Sequence, residues 1–374
     1  MNVNNFGRPR AAFAWRTGKQ APAGAIRGVM VPAGSTRTLG AVPLLLVLDG
    51  NSLLHRAYHA AAFGEMLAPD GSPIWALHGL VGYLARATAQ LSPDAVIVGF
   101  DCPSDSARRT WYPSYKAHRP DKPDALTAQL LAAPALLTAA GVCTVVPPAY
   151  EADDVLASAA AAARTAGWES VLMTSDRDAF ALIDATTSVL RVRNGGFGEA
   201  VLIDAAALPA LYGVTPAQYR DFAALRGDPS DNLPGVRRFG ATTAKKLLAA
   251  FGTIEAAWEA PAAALREAVG EHAASFLTDP AAREIVARNQ HLMTMRDDLT
   301  LPPLSGARLP LSYPTMRQAL RARGINLGPS LWALVGGAPP PPSVVEETPE
   351  LRPWALRNGL TARRDPTPGQ LALF

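Results

Sequence analysis

Cysteine is nearly absent: the 374 residues hold two, Cys102 and Cys143. A disulfide scaffold is therefore excluded, zinc held by cysteine is not expected, and a reducing cytoplasm is the expected compartment. No apolar run approaches the ~20 residues that span a bilayer, so no membrane partner is expected. Residues 1–42 contain no acid against six bases, with glycine and proline scattered through them. They read as a disordered basic extension that cannot build a core. A basic arm on nucleic acid or a transit-like segment would share that composition; a secretory signal would need a longer apolar stretch. A strong overall charge is missing too. The formal net charge of +3 names no partner, so local clusters must do so.

What is present is alternation. Apolar strand-like runs at 44–48, 95–100, 142–146 and 171–174 are separated by longer helical stretches. That order predicts an α/β fold with a mostly parallel central sheet flanked by helices. A two-strand excursion is expected at 188–193 and 200–203, turning at Gly195 and Gly196. Beyond Thr215 helices dominate, and the proline run in 337–342 ends the fold. The expected organisation is an extension at 1–42, a catalytic domain at 43–214, a helical subdomain at 215–336 and a disordered proline-rich tail at 337–374. The segment 371–374 is a candidate partner-binding end, and no internal repeat is visible.

The acids fall where strands end. Asp49 and Asp101 directly follow the first two runs. Glu151, Asp153 and Asp154 follow the third, opening an Ala-rich helix over 155–163, and Asp176 and Asp178 follow the fourth. Open α/β sheets bind ligands beyond the carboxyl ends of their strands. Asp228 and Asp231 come later, in a turn-rich stretch. Any one of these is most simply a cap or turn residue. Together, up to nine carboxylates at one edge would repel each other and raise their pKa values, a cost that bound divalent cations remove. Oxygen donors without a Cys/His cluster point to Mg²⁺ or Mn²⁺. Two such ions ~3.5–4 Å apart suit in-line phosphodiester displacement.

After Asp101 comes a segment in which Arg108, Arg109, Lys116 and Arg119 interleave with Trp111, Tyr112 and Tyr115. Cations meet phosphates and rings stack on bases, which suits single-stranded nucleic acid; a solvated surface over packed aromatics is the plainer alternative. Lys116 or Arg108 is also a candidate for stabilising charge on a scissile phosphate. Downstream, glycines bracket the turn 235–240 ahead of a helix over 241–251. Its helix start, with Arg237, Arg238, Lys245 and Lys246, would suit a phosphate, although an ordinary helix joint has the same pattern.

The motifs VLDGNSLLHRAYHA, GFDCPSDSARRTWYPSYKAHR, YEADDVLAS, MTSDRDAFALI and LRGDPSDNLPGV, in this order, resemble the 5′-3′ exonuclease and flap endonuclease family over residues 44–334. The resemblance implies a PIN-like core, a helical arch and a C-terminal helical subdomain with a helix-hairpin-helix. It implies metal ligation by Asp49, Asp101, Glu151, Asp153, Asp154, Asp176, Asp178, Asp228 and Asp231. It places Arg108, Lys116 and Arg119 on the basic side of the arch, with Arg109 and Tyr115 beside them. It makes Gly235, Val236, Arg237, Arg238, Gly240 and Lys245 a grip on duplex backbone, sometimes through K⁺. His55 stands where an aromatic is usual near the scissile base, and Phe239 where the hairpin usually has a small aliphatic.

The implied function is hydrolysis of DNA at a 5′ flap or 5′ end in replication and repair, by a monomer acting alone or with a separate DNA polymerase. Two alternatives stand beside it. A PIN-type ribonuclease would share the acidic edge but needs neither arch nor hairpin. A non-cleaving branched-DNA binding protein would tolerate missing acids, and none is missing here.

Overall fold

The computed structural model describes residues 42–60, 66–193 and 196–339. Six strands form one sheet: β1 (Leu44–Asp49), β2 (Ala95–Gly99), β3 (Cys143–Val145), β4 (Glu169–Thr174), β5 (Thr187–Arg193) and β6 (Gly196–Ile203). Their order is β3-β2-β1-β4-β5-β6. The first five strands run parallel and β6 pairs antiparallel with β5. β1 is central and wholly buried, which is why it reads as an unbroken apolar run. Leu45, Leu46, Val47 and Leu48 are each 0% exposed. Each such side chain contributes roughly 1.5–3 kcal/mol. β3 is shorter than the expected 142–146 run because it lies at the sheet edge, where Val146 is exposed. Gly195 of the expected hairpin turn lies outside the described residues, and Gly196 opens β6.

Helices cover both faces. On one, α1 (Gly50–His59), α2 (Trp75–Leu91) and the helix Asp124–Ala139 pack against Leu46, Leu48, Val96 and Val98. The expected arch segment consists of a five-residue helix, α3 (Ala107–Trp111), a run of turns to Arg119, and then α4 (Asp124–Ala139). On the other face, α5 (Ala152–Thr165) covers Leu45, Val47 and Ile97.

After β6 come α6 (Ala207–Tyr212), α7 (Pro216–Arg226), α8 (Ala241–Phe251), α9 (Ile254–Glu259), α10 (Ala262–Val269), α11 (Glu271–Leu277) and α12 (Pro280–Met293). These helices extend the core that α5 begins. The chain then departs from the expected boundary at 336. Arg308 bridges to Ala95, and the Leu309 amide donates to the Asp94 carbonyl at 2.9 Å. From there α13 (Tyr313–Ala322) reaches the opposite face, where Met316, Leu320, Ile325, Leu331 and Leu334 join the α1/α2/α4 core. The return stretch after Ala307 thus belongs with the sheet domain, because its apolar positions are buried there. The extension at 1–41 and the tail from 340 lie outside the described residues. Among the described residues no helix is long and apolar enough to cross a membrane.

Candidate active site

Strand ends bring the acids together. A cavity of about 550 Å³ has Asp49, Asp101, Glu151, Asp153 and Asp176 in its wall, from β1, the β2 end, α5 and the β4 end. A smaller one of about 20 Å³ shares Glu151, Asp153 and Asp176 and adds Asp178 and Asp231. Asp228 lines neither, but it acts electrostatically on Asp178. Among the described residues no three His, Cys, Asp or Glu side chains already close on one point as an ion cage.

Each acid is held by backbone and neighbours. Asp49 caps α1, accepting from the Ser52 amide at 2.9 Å and the Thr174 hydroxyl at 2.7 Å. Asp101 accepts from the Asn51 side-chain amide at 2.7 Å and the Ala152 amide at 2.9 Å. Asp176 accepts from the Asp178 amide at 3.0 Å. Burial, then Asp101 and Asp176, pushes Asp49 up to about 7 against its two hydrogen bonds. Burial, then Asp49, Asp176 and Glu151, holds Asp153 well above the usual carboxylate range. Burial and Glu151 raise Asp101. Burial with Asp176, Asp228 and Asp231 raises Asp178 to about 8. Ionising this cluster fully is therefore costly without positive charge.

Lys116 supplies some of that charge. Its ammonium lies 3.0 Å from Glu151 and 4.7 Å from the Tyr115 ring centre. Burial pulls its pKa down, but Glu151 and Asp231 outweigh burial and leave it raised. The turn carrying it is clamped: the Lys116 amide donates to the Asp231 carbonyl at 3.0 Å, Asn232 donates to the Ser114 carbonyl at 2.9 Å, and Arg119 pairs with Asp231. Asp228 is partly spent on the Ser230 amide and hydroxyl, both at 2.8 Å.

Three expectations are corrected. Asp154 is fully buried and absent from both cavities. It takes two hydrogen bonds from Arg108 at 2.7 and 2.8 Å, one from the Glu151 amide at 3.0 Å and one from the Arg296 amide at 2.8 Å. Its oxygens are committed to protein donors, so it organises the site without facing it. Arg108 is correspondingly spent: it also donates to the Leu292 carbonyl at 2.9 Å, and only 11% of its side chain is exposed. It is not a surface contact for DNA. Tyr115 is buried at 4% exposure with its hydroxyl donating to Glu151 at 3.2 Å, so it has no ring face for a base.

The hairpin between α7 and α8 also differs in detail. A Cβ on Gly235 would lie 2.3 Å from the Arg226 carbonyl carbon, so this glycine serves close packing against the end of α7. Val236 and Phe239 are buried in the core; the Phe239 ring does not crowd the loop's outer side. Gly240, at the start of α8, faces open space, and Arg238 is exposed beside it. Arg237 sits 4.7 Å over the Phe276 ring, and the Lys245 stem lies along Gly213.

His55 and Arg119 line the large cavity, and Arg109 is exposed on α3. Burial, then Lys122, His59 and Arg119, lowers His55 to about 4, so its ring is neutral near pH 7. Sequence reasoning missed Asn51, Ser52, Arg56, His59, Lys122 and Ser175, all in the cavity wall, and Thr174 behind Asp49. The signal was there for α1: positions 52, 55, 56 and 59 share one helical face directly after Asp49.

Residues 44–213 match the family model of the 5′-3′ exonuclease N-terminal resolvase-like domain, and 214–312 match that of the 5′-3′ exonuclease C-terminal SAM fold. DNA polymerase I of Mycobacterium tuberculosis is 35% identical over 261 residues, covering 70% of this chain and 28% of that protein. Thermostable DNA polymerase I of Thermus aquaticus is 39% identical over 212 residues, covering 57% and 24%. The chain thus spans under a third of the length of these curated relatives. The fold resembles T5 5′-exonuclease with divalent zinc ions bound, at TM-score 0.54 and 21% identity over 68% of this chain and 90% of that one. It also resembles a bacteriophage T5 flap endonuclease in a pseudo-enzyme-product complex with DNA and metal ions, at TM-score 0.53 and 20% identity over 68% and 89%.

Proposed function

The chain belongs to the 5′-3′ exonuclease family, and on that premise we propose that it is a divalent-cation-dependent nuclease cutting DNA at a 5′ flap junction or a 5′ end. One observation carries this reading: five acids delivered at or after the ends of four different strands share a cavity with Lys116, Arg119 and Lys122. Both charge signs that a phosphodiester needs are at hand, acids for cations and cations for phosphate oxygens.

The residues fit a hard cation. The donors are all carboxylate oxygens. Among the described residues the buried Oδ1 of Asp153 has no hydrogen-bond partner. Asp49, Asp101, Glu151, Asp153 and Asp176 would hold Mg²⁺ or Mn²⁺, and Asp176, Asp178, Asp228 and Asp231 a second ion. Such ions supply an acidified water and offset charge on the attacking and leaving oxygens.

The remaining roles belong to the chain itself. Lys116, fixed by its clamped turn, donates to a non-bridging oxygen of the scissile phosphate. Arg119 and Lys122 hold neighbouring phosphates, and the neutral His55 offers a ring face in place of a larger aromatic. Arg108 and Asp154 keep Glu151 aimed through its backbone amide. The exposed start of α8 at Gly240, flanked by Arg238, binds duplex backbone. The full-length relatives' name supports a further step, that the substrate is made by a DNA polymerase. A labelled 5′-flap substrate beside single-stranded RNA, with and without Mg²⁺, tests the reading. Mg²⁺-dependent cutting at the flap junction is expected. Preferred cutting of RNA would favour a ribonuclease, and tight flap binding without cutting a binding protein.

A further inference from the structure

Trp111 is the one exposed tryptophan among the described residues, with 51% of its surface in solvent. It ends α3, a helix whose attachment is already made by Arg108 through Asp154 and the Leu292 carbonyl. Fold stability therefore gains little from placing this ring half in water. The ring is nevertheless oriented: His291 of α12 stacks against it with centroids 4.1 Å apart and planes tilted by 39°. His291 thus fixes the ring's orientation, while half of the residue's surface stays open to solvent. Arg108, one turn back on α3, and Leu292, next to His291 on α12, line the smaller cavity, whose wall does not include the ring itself. Cations are near in the chain: Arg109 is exposed on the same helix, and Arg288, which also donates to the Pro234 carbonyl, sits 5.2 Å over the neighbouring Tyr112 ring.

We propose that Trp111, backed by His291, is a stacking platform for a base of single-stranded DNA outside the catalytic cavity. A preset indole face among arginines suits a flexible strand whose bases are unpaired, because every base has a face to stack and every linkage a phosphate. A duplex keeps its bases stacked on each other and has no use for the indole. The proposal rests on the nuclease reading only in assigning the strand to a 5′ flap; the contact itself is testable without cleavage.

The test is fluorescence anisotropy of the full chain with a labelled oligo-dT and with a blunt duplex of equal length, in buffer lacking divalent cations, over a range of salt. Trp111→Ala should weaken oligo-dT binding about 5- to 150-fold while changing duplex binding little. The salt slope should stay the same, since no ion pair is lost. Trp111→Phe should restore most of the affinity, His291→Ala should give a smaller loss, and Tyr313→Ala, an exposed ring elsewhere, should have no effect. Unchanged oligo-dT affinity in Trp111→Ala, or equal losses on oligo-dT and duplex, would overturn the platform. The two readings fail separately. Binding through Trp111 by a protein that cuts nothing would refute the nuclease and keep the platform; flap cutting with Trp111 irrelevant to oligo-dT would do the reverse.

Discussion

At Lys116 several constraints converge. Its φ of 57° is a conformation that few side-chain-bearing residues adopt, its amide is tied to Asp231, and its ammonium is tied to Glu151. Such fixing is useful only if the position of the charge matters. Lys116→Ala should slow single-turnover flap cleavage by ~10²–10³-fold with little change in flap affinity. A change confined to affinity would reduce it to a binding contact. Asp154 makes the complementary case. Asp154→Ala removes both short hydrogen bonds from a largely buried guanidinium, leaving it only Glu151, at 3.4 Å, as a charge partner, and should cost about 3 kcal/mol in urea unfolding; loss of cleavage with full stability would instead make it a ligand. Asp153 and Asp154 look alike in the sequence. About 100° separates neighbours on a helix, and only the fold shows which one meets the cavity and which meets Arg108.

Among the elements, the α7–α8 hairpin shows where sequence reading stops. Gly227 has φ +71°, and a Cβ there would sit 2.3 Å from the Gly235 amide nitrogen. The two glycines therefore pack against each other and against the end of α7. Gly235→Ala should lower Tm and weaken duplex binding together, because the clash is with backbone and cannot be relieved by a rotamer. Thermal melts beside duplex titrations check this; weaker binding at unchanged Tm would return Gly235 to the phosphate surface. Glycine and Phe239 in the sequence carry no direction, so an inward role and an outward one looked the same. The strands were legible for the opposite reason: a strand buried on both faces reads as a run of apolar residues, as at 44–48 in β1, 95–98 in β2 and 171–173 in β4. α3 was not legible as a helix from periodicity, since five residues are too few to show one.

For the whole molecule, the convergence of acids links stability to pH. Asp49 and Asp178 sit at about 7 and about 8 in the fold. Unfolded, they would titrate near ~4. Between those values the folded chain holds protons that the unfolded chain has released, so its stability falls as pH rises through the window. Without divalent ions, Tm should drop between pH ~5 and ~8.5, and Mg²⁺ should raise Tm more at the upper end, where it no longer competes with protons. A Tm that climbs with pH in the absence of metal would contradict this. The alternation of runs revealed the sheet, and the ends of the runs revealed its acidic edge. The return of α13 to the first domain was not legible, since an apolar helix face does not say which core it joins.

Binding of Mn²⁺ followed by electron paramagnetic resonance, with the wild-type chain and with Asp153→Ala, tests the central claim most directly. The account predicts two ions on the wild type and loss of at least one from the variant, because Asp153 stands in both cavities. Equal stoichiometry and affinity in the two proteins would show that the acids gathered at the sheet edge do not hold the cations.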